Sequence, residues 1–236
     1  MAGKPDMANL TGKKIAILAT HGFEQSELLQ PQSALQDAGA ETKVVSLVRG
    51  KIKGWNDKNW GQEVPVDLTV DEAKPDDFDA LLLPGGVMNP DHLRTNPKAV
   101  HFTRAFFDAD KPIAAICHGP WLLVEAGIVK GRTLTSWPSL KTDISNAGGK
   151  WVDQEVVSEQ GLITSRKPVD IPAFNRAMIK AFEGSVSKTA RPKLRQAQTR
   201  GTCLRFPVNA CLTLCRERVN YVQTLFSAQS RNHTVT

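Results

Sequence analysis

The first 184 residues of this chain contain a single cysteine, Cys117, although the full sequence of 236 residues contains four. One thiol cannot form a disulfide within that part of the chain, which is the pattern expected in a reducing compartment. No apolar stretch is long enough to span a membrane, and the N-terminus lacks the apolar core of a signal peptide. We therefore expect a cytoplasmic protein without membrane partners.

Acidic residues nearly disappear near the C-terminus. Residues 185–236 contain nine Lys and Arg but one acid, Glu217, so they carry +8, and the whole-chain charge of +6 leaves −2 for residues 1–184. We expect a flexible N-terminus over 1–13, a folded domain over 14–184 and a disordered basic extension over 185–236. The positive charge of the extension would allow it to bind nucleic acid. The alternative is that the extension has no function and was produced by a shifted reading frame.

Motifs for metals and phosphates are also missing. His21, His92 and His101 have no partner at metal-ligand spacing, the cysteines of the extension match no zinc finger, and no glycine-rich phosphate loop is present. The sequence therefore predicts neither a metal nor a cofactor.

Short apolar runs alternate with amphipathic stretches along the first 184 residues. This pattern predicts a doubly wound α/β sheet, with a half-exposed strand over 64–70 and Asp170 as the N-cap of the closing helix. The predicted buried strands are 14–19, 42–48, 79–83 and 113–116, followed by a strand pair at 155–157 and 162–164, and the predicted helices are 24–38, 97–109, 139–147 and 170–182.

Cys117 lies where a buried strand gives way to a helix. A thiol there lies outside the carboxyl end of the strand, where open α/β sheets place their sites, and near a helix N-terminus that favours a thiolate. His118 and Gly119 follow directly, one able to carry a proton and the other able to turn tightly. The alternative is a small buried hydrophobic residue.

Three loops should converge at this edge of the sheet, namely residues 20–24, 84–86 and 117–119. Together with neighbouring segments they resemble the DJ-1/PfpI superfamily, in its PfpI-like intracellular cysteine peptidase and deglycase branch. The resemblance extends from about 14 to 183 and implies a flavodoxin-like fold. The segments that carry it are Gly-Phe-Glu-Gln-Ser-Glu-Leu (22–28), Asp-Ala-Leu-Leu-Leu-Pro-Gly-Gly (79–86), Ala-Ile-Cys-His-Gly-Pro (115–120), Gly-Arg-Thr-Leu-Thr-Ser-Trp-Pro (131–138), Asn-Ala-Gly-Gly-Lys-Trp-Val-Asp (146–153) and Leu-Ile-Thr-Ser-Arg (162–166).

The resemblance assigns roles to residues of these loops. It implies that Cys117 is a nucleophile and that Glu24 is the carboxylate sharing a proton with the sulfur. The backbone N–H groups of Gly86 and His118, with Gly85 beside them, correspond to the anion hole. Without the resemblance, Glu24 would be an ordinary acid in the first turn of a helix.

The resemblance also implies that His118 acts as a base. An acid from a neighbouring subunit orients this histidine in the PfpI-like branch, and Asp91 occupies the matching place, so a homodimer or homohexamer is expected. The alternative for Asp91 is a solvated loop carboxylate. Glutamine amidotransferases are excluded, because they need a late His-x-Glu and the only histidine after His118 is His233.

The expected activity is attack of a thiolate on a carbonyl. The resemblance implies a stress-response enzyme whose substrates are 2-oxoaldehydes such as methylglyoxal, or their early adducts on proteins and nucleotides. The chain shows no lid or recognition domain for an extended peptide, so a PfpI-type peptidase is the second choice. A redox-sensing, chaperone-like protein in which Cys117 is oxidised is the alternative without turnover.

Overall fold

The computed structural model describes residues 9–184. Of the flexible N-terminus predicted over 1–13, residues 1–8 lie outside the described residues, as does the extension predicted over 185–236, whereas Leu10 is fully buried and its N–H donates to the Ala38 carbonyl at 2.8 Å. The chain begins with a β-α-β unit formed by β1 (Lys14–Leu18), α1 (Gln25–Asp37) and β2 (Glu41–Ser46). The last four residues of β1 are buried, because helices cover both faces of the strand. No helix within 9–184 is long and apolar enough to cross a membrane.

A seven-stranded sheet forms the centre of the domain. Its order is β10-β11-β7-β6-β1-β2-β5, and every pairing is parallel except that between β10 and β11. The doubly wound, mainly parallel sheet that the sequence predicts is thereby confirmed. The remaining strands of this sheet are β5 (Leu68–Thr69), β6 (Ala80–Leu83), β7 (Ile113–Ile116), β10 (Val156–Glu159) and β11 (Leu162–Ser165).

Helices cover both faces of the sheet and bury two apolar clusters. One cluster contains Leu28 and Leu35 of α1 together with Phe174 and Phe182 of α6. The other contains residues of the helices α2 to α5 on the opposite face. These helices are α2 (Met88–Arg94), α3 (Pro97–Asp108), α4 (Pro120–Glu125), α5 (Lys141–Asn146) and α6 (Ile171–Glu183).

The region after β2 differs from the sequence prediction. Residues predicted as one strand over 64–70 are divided between β5 and the end of an antiparallel hairpin, β3 (Lys51–Asn56) and β4 (Asn59–Pro65). The prediction was wrong because β3, the strand that pairs with β4, lies in a polar stretch without the alternation typical of a strand. The hairpin turns at Asp57, whose φ of 54° is accessible to a short polar residue. A small parallel pair, β8 (Thr133–Leu134) with β9 (Lys150–Trp151), completes the strands described in 9–184.

Asp170 precedes α6 as predicted but does not cap it. No N–H group of the helix donates to its carboxylate. The carboxylate instead accepts hydrogen bonds from Arg166, whose Nε lies 2.8 Å and whose Nη2 lies 3.2 Å from the two oxygens. Arg166 also donates to Asp153 at 2.7 Å and so ties α6 to the loop before β10.

Candidate active site

Cys117 occupies a strained turn between β7 and α4. Its φ is 62°, in the left-handed region that non-glycine residues seldom adopt. Its N–H donates to the Ser165 carbonyl at 3.1 Å, and its own carbonyl accepts from Trp137 N–H at 2.9 Å. Gly119 completes the turn, because a Cβ there would lie 2.6 Å from the Leu83 carbonyl oxygen. The turn is therefore held on both sides while the thiol stands at the sheet edge.

The three loops predicted to converge do meet at this thiol. A Cβ on Gly85 would lie 2.7 Å from Cys117 Cβ, so the 84–86 loop passes directly over the cysteine. The Glu24 N–H donates to the Gly85 carbonyl at 3.3 Å and joins the first loop to the second. The backbone N–H groups of Gly86 and His118 both hydrogen-bond to the Cys117 sulfur. Two backbone donors thus converge on the sulfur of Cys117.

The carboxyl group beside the sulfur belongs to Glu27, so the prediction of Glu24 is wrong in its residue. Glu27 is fully buried, its Oε2 accepts from Gly85 N–H at 3.0 Å, and its side chain hydrogen-bonds with Cys117. Glu24 lies just before α1, partly exposed, and accepts a hydrogen bond from Ser26 Oγ at 3.0 Å.

The sequence contains a signal that would have found Glu27. The buried positions of α1 are Glu27, Leu28, Pro31 and Leu35, a spacing that marks one face of a helix. Since the helix starts at Gln25, Glu27 points into the domain on this face, whereas Glu24 precedes the helix. An acid in phase with apolar residues is costly to bury unless it has a function or a partner.

Burial controls the protonation of this pair. It raises the pKa of Glu27 to about 8, and the charge of Glu24 adds to the effect. Burial and then the charge of Glu27 raise the pKa of the Cys117 thiol, although the N–H groups of Gly86 and His118 act in the opposite direction. Burial and the neighbouring carboxyl group therefore act against the thiolate that the sequence predicts, whereas the two N–H groups favour it. Near neutral pH the pair retains its protons, and a thiolate forms when a base takes the sulfur proton.

His118 is placed to be that base. Its Nδ1 lies 3.2 Å from Cys117 Sγ, which the irregular turn makes possible for adjacent residues. Burial lowers the pKa of His118 to about 4, so the ring is neutral and able to accept a proton at neutral pH. The ring lies between the indoles of Trp121, 5.1 Å away, and Trp137, 5.9 Å away, and its Nε2 is 3.4 Å from Ser139 Oγ.

Asp91 does not reach His118 within one chain. It lies in the first turn of α2, with a side chain more than half exposed, and its Oδ1 is 3.5 Å from Arg94 Nε. The guanidinium of Arg94 in turn stacks over the Trp121 ring at 4.9 Å. Within one chain, Asp91 is therefore a surface carboxylate on the helix beside the site. The resemblance implies that it would act on the histidine of a second subunit.

Asn89 is a site residue that the sequence analysis missed. It is fully buried, its Oδ1 accepts from Thr20 N–H at 2.7 Å, and its Nδ2 donates to the Pro84 and Gly85 carbonyls at 3.0 and 3.1 Å. One side chain thus joins two of the three loops. The sequence analysis missed Asn89 because it did not predict helix α2, whose seven residues include an internal proline and show too little periodicity to be recognised.

Residues 13–181 match the DJ-1/PfpI family. The chain belongs to the DJ-1/PfpI family. General stress protein 18 of Bacillus subtilis is 47% identical over 174 residues, which cover 73% of this chain and 99% of that protein. Protein/nucleic acid deglycase 2 of Escherichia coli is 45% identical over 170 residues (71% and 96%), and deglycase PfpI of Pyrococcus furiosus is 44% identical over 170 residues (72% and 99%).

Solved structures of DJ-1/PfpI proteins share the fold. Drosophila melanogaster DJ-1beta superposes with a TM-score of 0.67 at 27% identity, covering 73% of this chain and 91% of that one. An Anabaena variabilis protein with DJ-1/ThiJ/PfpI-like and ferritin-like domains superposes with a TM-score of 0.68 at 36% identity, and the match covers 71% of this chain and 47% of that one. Within residues 9–184, no group of three or more His, Cys, Asp and Glu is arranged to hold a metal ion.

Proposed function

We propose that this DJ-1/PfpI protein is a cysteine-dependent, deglycase-type stress-response enzyme that acts on early adducts of 2-oxoaldehydes with proteins or nucleotides, and on the free aldehydes. The observation that carries the proposal is the arrangement around Cys117: a base at 3.2 Å from the sulfur and two N–H donors converging on it. The names of the deglycase relatives support the same class of reaction.

The chemistry follows from these positions. As Cys117 Sγ bonds to the carbonyl carbon, His118 Nδ1 takes the thiol proton and the carbonyl electron pair moves to oxygen. The N–H groups of Gly86 and His118 stabilise the resulting oxyanion. Glu27, protonated at neutral pH, adds no negative charge beside the sulfur. With methylglyoxal, the hydrogen on the attacked aldehyde carbon moves as a proton to the neighbouring ketone carbon, which leaves a lactate thioester on Cys117. Water then breaks the bond between sulfur and carbon, so lactate leaves and the thiol regains its proton. The aldehyde carbon is oxidised, the ketone carbon is reduced, and no outside oxidant is needed.

The proposal is tested by following three reactions in parallel. Release of lactate from methylglyoxal, release of free amine from a freshly formed methylglyoxal adduct of N-acetyl-lysine or guanosine, and hydrolysis of casein are measured with the same preparation. We expect turnover of the adduct and the aldehyde. Casein hydrolysis alone would favour a peptidase, and absence of all three in folded protein would favour a redox sensor.

The assembly is the finer part of the proposal. We propose that Asp91 of a second copy orients His118 in a homodimer or homohexamer, which its exposed position on α2 permits. Light scattering at assay concentration should give at least a dimer, and Asp91→Ala should lower turnover while leaving the mass unchanged. An active monomer, or full activity in the variant, would contradict this role. Glu63→Ala, which removes an exposed carboxylate from the hairpin strand β4, is the matched control.

A further inference from the structure

One polar side chain of the same chain lies against the far nitrogen of His118. Ser139 Oγ is 3.4 Å from Nε2, while Nδ1 of the same ring is 3.2 Å from the Cys117 sulfur. The indoles of Trp121 and Trp137 enclose the ring from two further directions. The imidazole therefore has one nitrogen toward the thiol and one toward a hydroxyl.

The ring can accept the thiol proton in only one of its neutral tautomers. Nδ1 must be free of hydrogen, so the hydrogen must be on Nε2, where it needs an acceptor. A serine hydroxyl supplies that acceptor and continues to accept from Nε2–H once the ring is charged. The opposite tautomer would place a hydrogen between Nδ1 and a thiol that still holds its own.

We propose that Ser139 is a positioning residue that holds His118 in the tautomer protonated on Nε2 and so leaves Nδ1 ready to accept the proton of Cys117. This inference rests on the proposed function, in which His118 is the base. It concerns the chain's own contribution to orienting His118; because Nδ1 faces the sulfur, a carboxylate from a second subunit would share the Nε2–H with this hydroxyl.

The backbone ties Ser139 to the nucleophile. Trp137, two residues earlier, donates its N–H to the Cys117 carbonyl at 2.9 Å, and Leu140 N–H donates to the Trp137 carbonyl at 3.1 Å. Leu140 is fully buried and anchors the far side of the turn. Because both ends of this short segment are fixed, the backbone of Ser139 keeps its position relative to the ring.

The charged and titratable groups around His118 are few. Cys117 faces Nδ1, and Glu27 hydrogen-bonds with the cysteine. Around Trp121, Asp143 of α5 accepts a hydrogen bond from Nε1 at 2.8 Å, and the Arg94 guanidinium of α2 lies over the ring at 4.9 Å. Burial alone lowers the pKa of His118. In the described residues the neutral hydroxyl of Ser139 is thus the polar group that distinguishes Nε2 from Nδ1.

The test compares Ser139→Ala with Ser139→Thr and with the exposed control Ser145→Ala. Ser139→Ala should lower kcat about five- to tenfold, the effect of one hydrogen bond, with KM within about twofold. It should also slow alkylation of Cys117 by iodoacetamide at pH 7 by a similar factor. Thr restores the hydroxyl, and since residue 139 is exposed its methyl group has room, so this variant and Ser145→Ala should behave as the parent chain.

A readout independent of turnover separates this inference from the proposed function. Nitrogen-15 chemical shifts of the His118 ring report directly which nitrogen carries the hydrogen. We expect Nε2–H in the parent and Thr variants, and a mixture in Ser139→Ala. Unchanged shifts and alkylation in Ser139→Ala would overturn the proposal, as would a Thr variant as impaired as the Ala variant. If no carbonyl substrate is turned over but these shifts move, the positioning role stands and the proposed function fails.

Discussion

At the scale of single residues, Cys117 combines backbone strain with chemical position. Placing a non-glycine residue in the left-handed region costs about 1–3 kcal/mol. Two backbone hydrogen bonds hold Cys117 in this conformation: its N–H donates to the Ser165 carbonyl, and its carbonyl accepts from the Trp137 N–H. The strained turn brings Sγ against His118 Nδ1 and under the N–H groups of Gly86 and His118. Strain and reactivity therefore have the same structural origin.

Cys117→Ser should abolish turnover while leaving the fold intact. The hydroxyl replaces the thiol with little change of volume but is a far weaker nucleophile, so we expect kcat to fall by about a thousandfold or more. The midpoint of urea denaturation should change by the equivalent of about 1 kcal/mol or less. Cys211→Ser, at a cysteine outside the described residues, is the control and should retain activity. Near-normal turnover in the Cys117 variant would remove this residue from the mechanism.

Glu27→Gln should change how stability depends on pH. Folding raises the Glu27 pKa from 4.5 to about 8, so between these values the folded chain binds more protons than the unfolded one and stability falls as pH rises. His118, whose pKa folding lowers from 6.5 to about 4, acts in the opposite direction between pH 4 and 6.5. The Glu27 effect therefore dominates above pH 6.5, where it lowers the free energy of unfolding by at most about 1.4 kcal/mol per pH unit, and it fades as the pH reaches the folded pKa of about 8.

Urea denaturation at intervals from pH 6.5 to 8 measures this slope. Glu27→Gln should flatten it, because the amide does not titrate and its oxygen can still accept from Gly85 N–H. Glu24→Gln is the matched control, since it removes a nearby carboxylate that is only partly buried, and it should keep most of the slope. Parallel slopes in the parent and Glu27→Gln would show that Glu27 does not titrate in this range.

The positions of Cys117 and His118 at the sheet edge could be predicted from the sequence, and the carboxyl group beside the sulfur could not be placed reliably. The apolar strand before Cys117 and the helix after it can both be recognised from their residues, so the sequence alone locates the cysteine between them. Choosing between Glu24 and Glu27 requires the first residue of α1 to be known to within one position, and helix ends are the least certain feature of a periodic pattern. Ser139 and Asn89 interact through tertiary contacts that leave no local pattern.

At the scale of elements, long periodic segments were predictable and short ones were not. β1, β7, α3 and α6 have apolar residues at the spacing of their element, and each was placed within about two residues. Helix α2 is only seven residues long and contains a proline, and the hairpin β3–β4 has few buried positions, so contacts with the rest of the domain decide their structure more than their own composition does.

Helix α2 contributes to the site mainly through Asn89. Asn89→Ala should lower the free energy of unfolding by about 2–4 kcal/mol, because Thr20 N–H and the carbonyls of Pro84 and Gly85 lose a buried partner. It should also lower kcat, since two of the three loops are no longer joined. Asn146→Ala, at the exposed end of α5, provides the comparison in chemical denaturation and should be nearly neutral. Equal stability of the two variants would show that Asn89 does not hold the loops.

At the scale of the whole molecule, the domain closes with α6. Phe174, Met178 and Phe182 of this helix are fully buried in the cluster shared with α1, and Glu183 accepts a hydrogen bond from Asn9 N–H at 2.9 Å. The two ends of the described chain therefore meet. The match to the DJ-1/PfpI family also ends close by, at residue 181.

A chain ending at Gly184 should retain the turnover and assembly of the full chain. The described core is complete by then, and the removed residues carry the net charge of +8. Turnover within about twofold and an unchanged mass by light scattering are expected. Titration of both chains with single-stranded DNA at low and high salt tests whether residues 185–236 bind nucleic acid. If the shortened chain has lower activity, or loses a salt-dependent affinity that the full chain possesses, residues 185–236 have a function.

The hydrogen bond from Gly85 N–H to Glu27 Oε2 has a use in spectroscopy. When Glu27 loses its proton near pH 8, this amide faces a full negative charge instead of a neutral acid, so its proton resonance should move downfield over that range. Gly85 is buried and fixed by the neighbouring carbonyl contacts of Asn89, which keeps other influences on its chemical shift small. A single glycine resonance would therefore follow the charge state of the nucleophile's neighbour in a protein that is otherwise unlabelled and unperturbed by mutation.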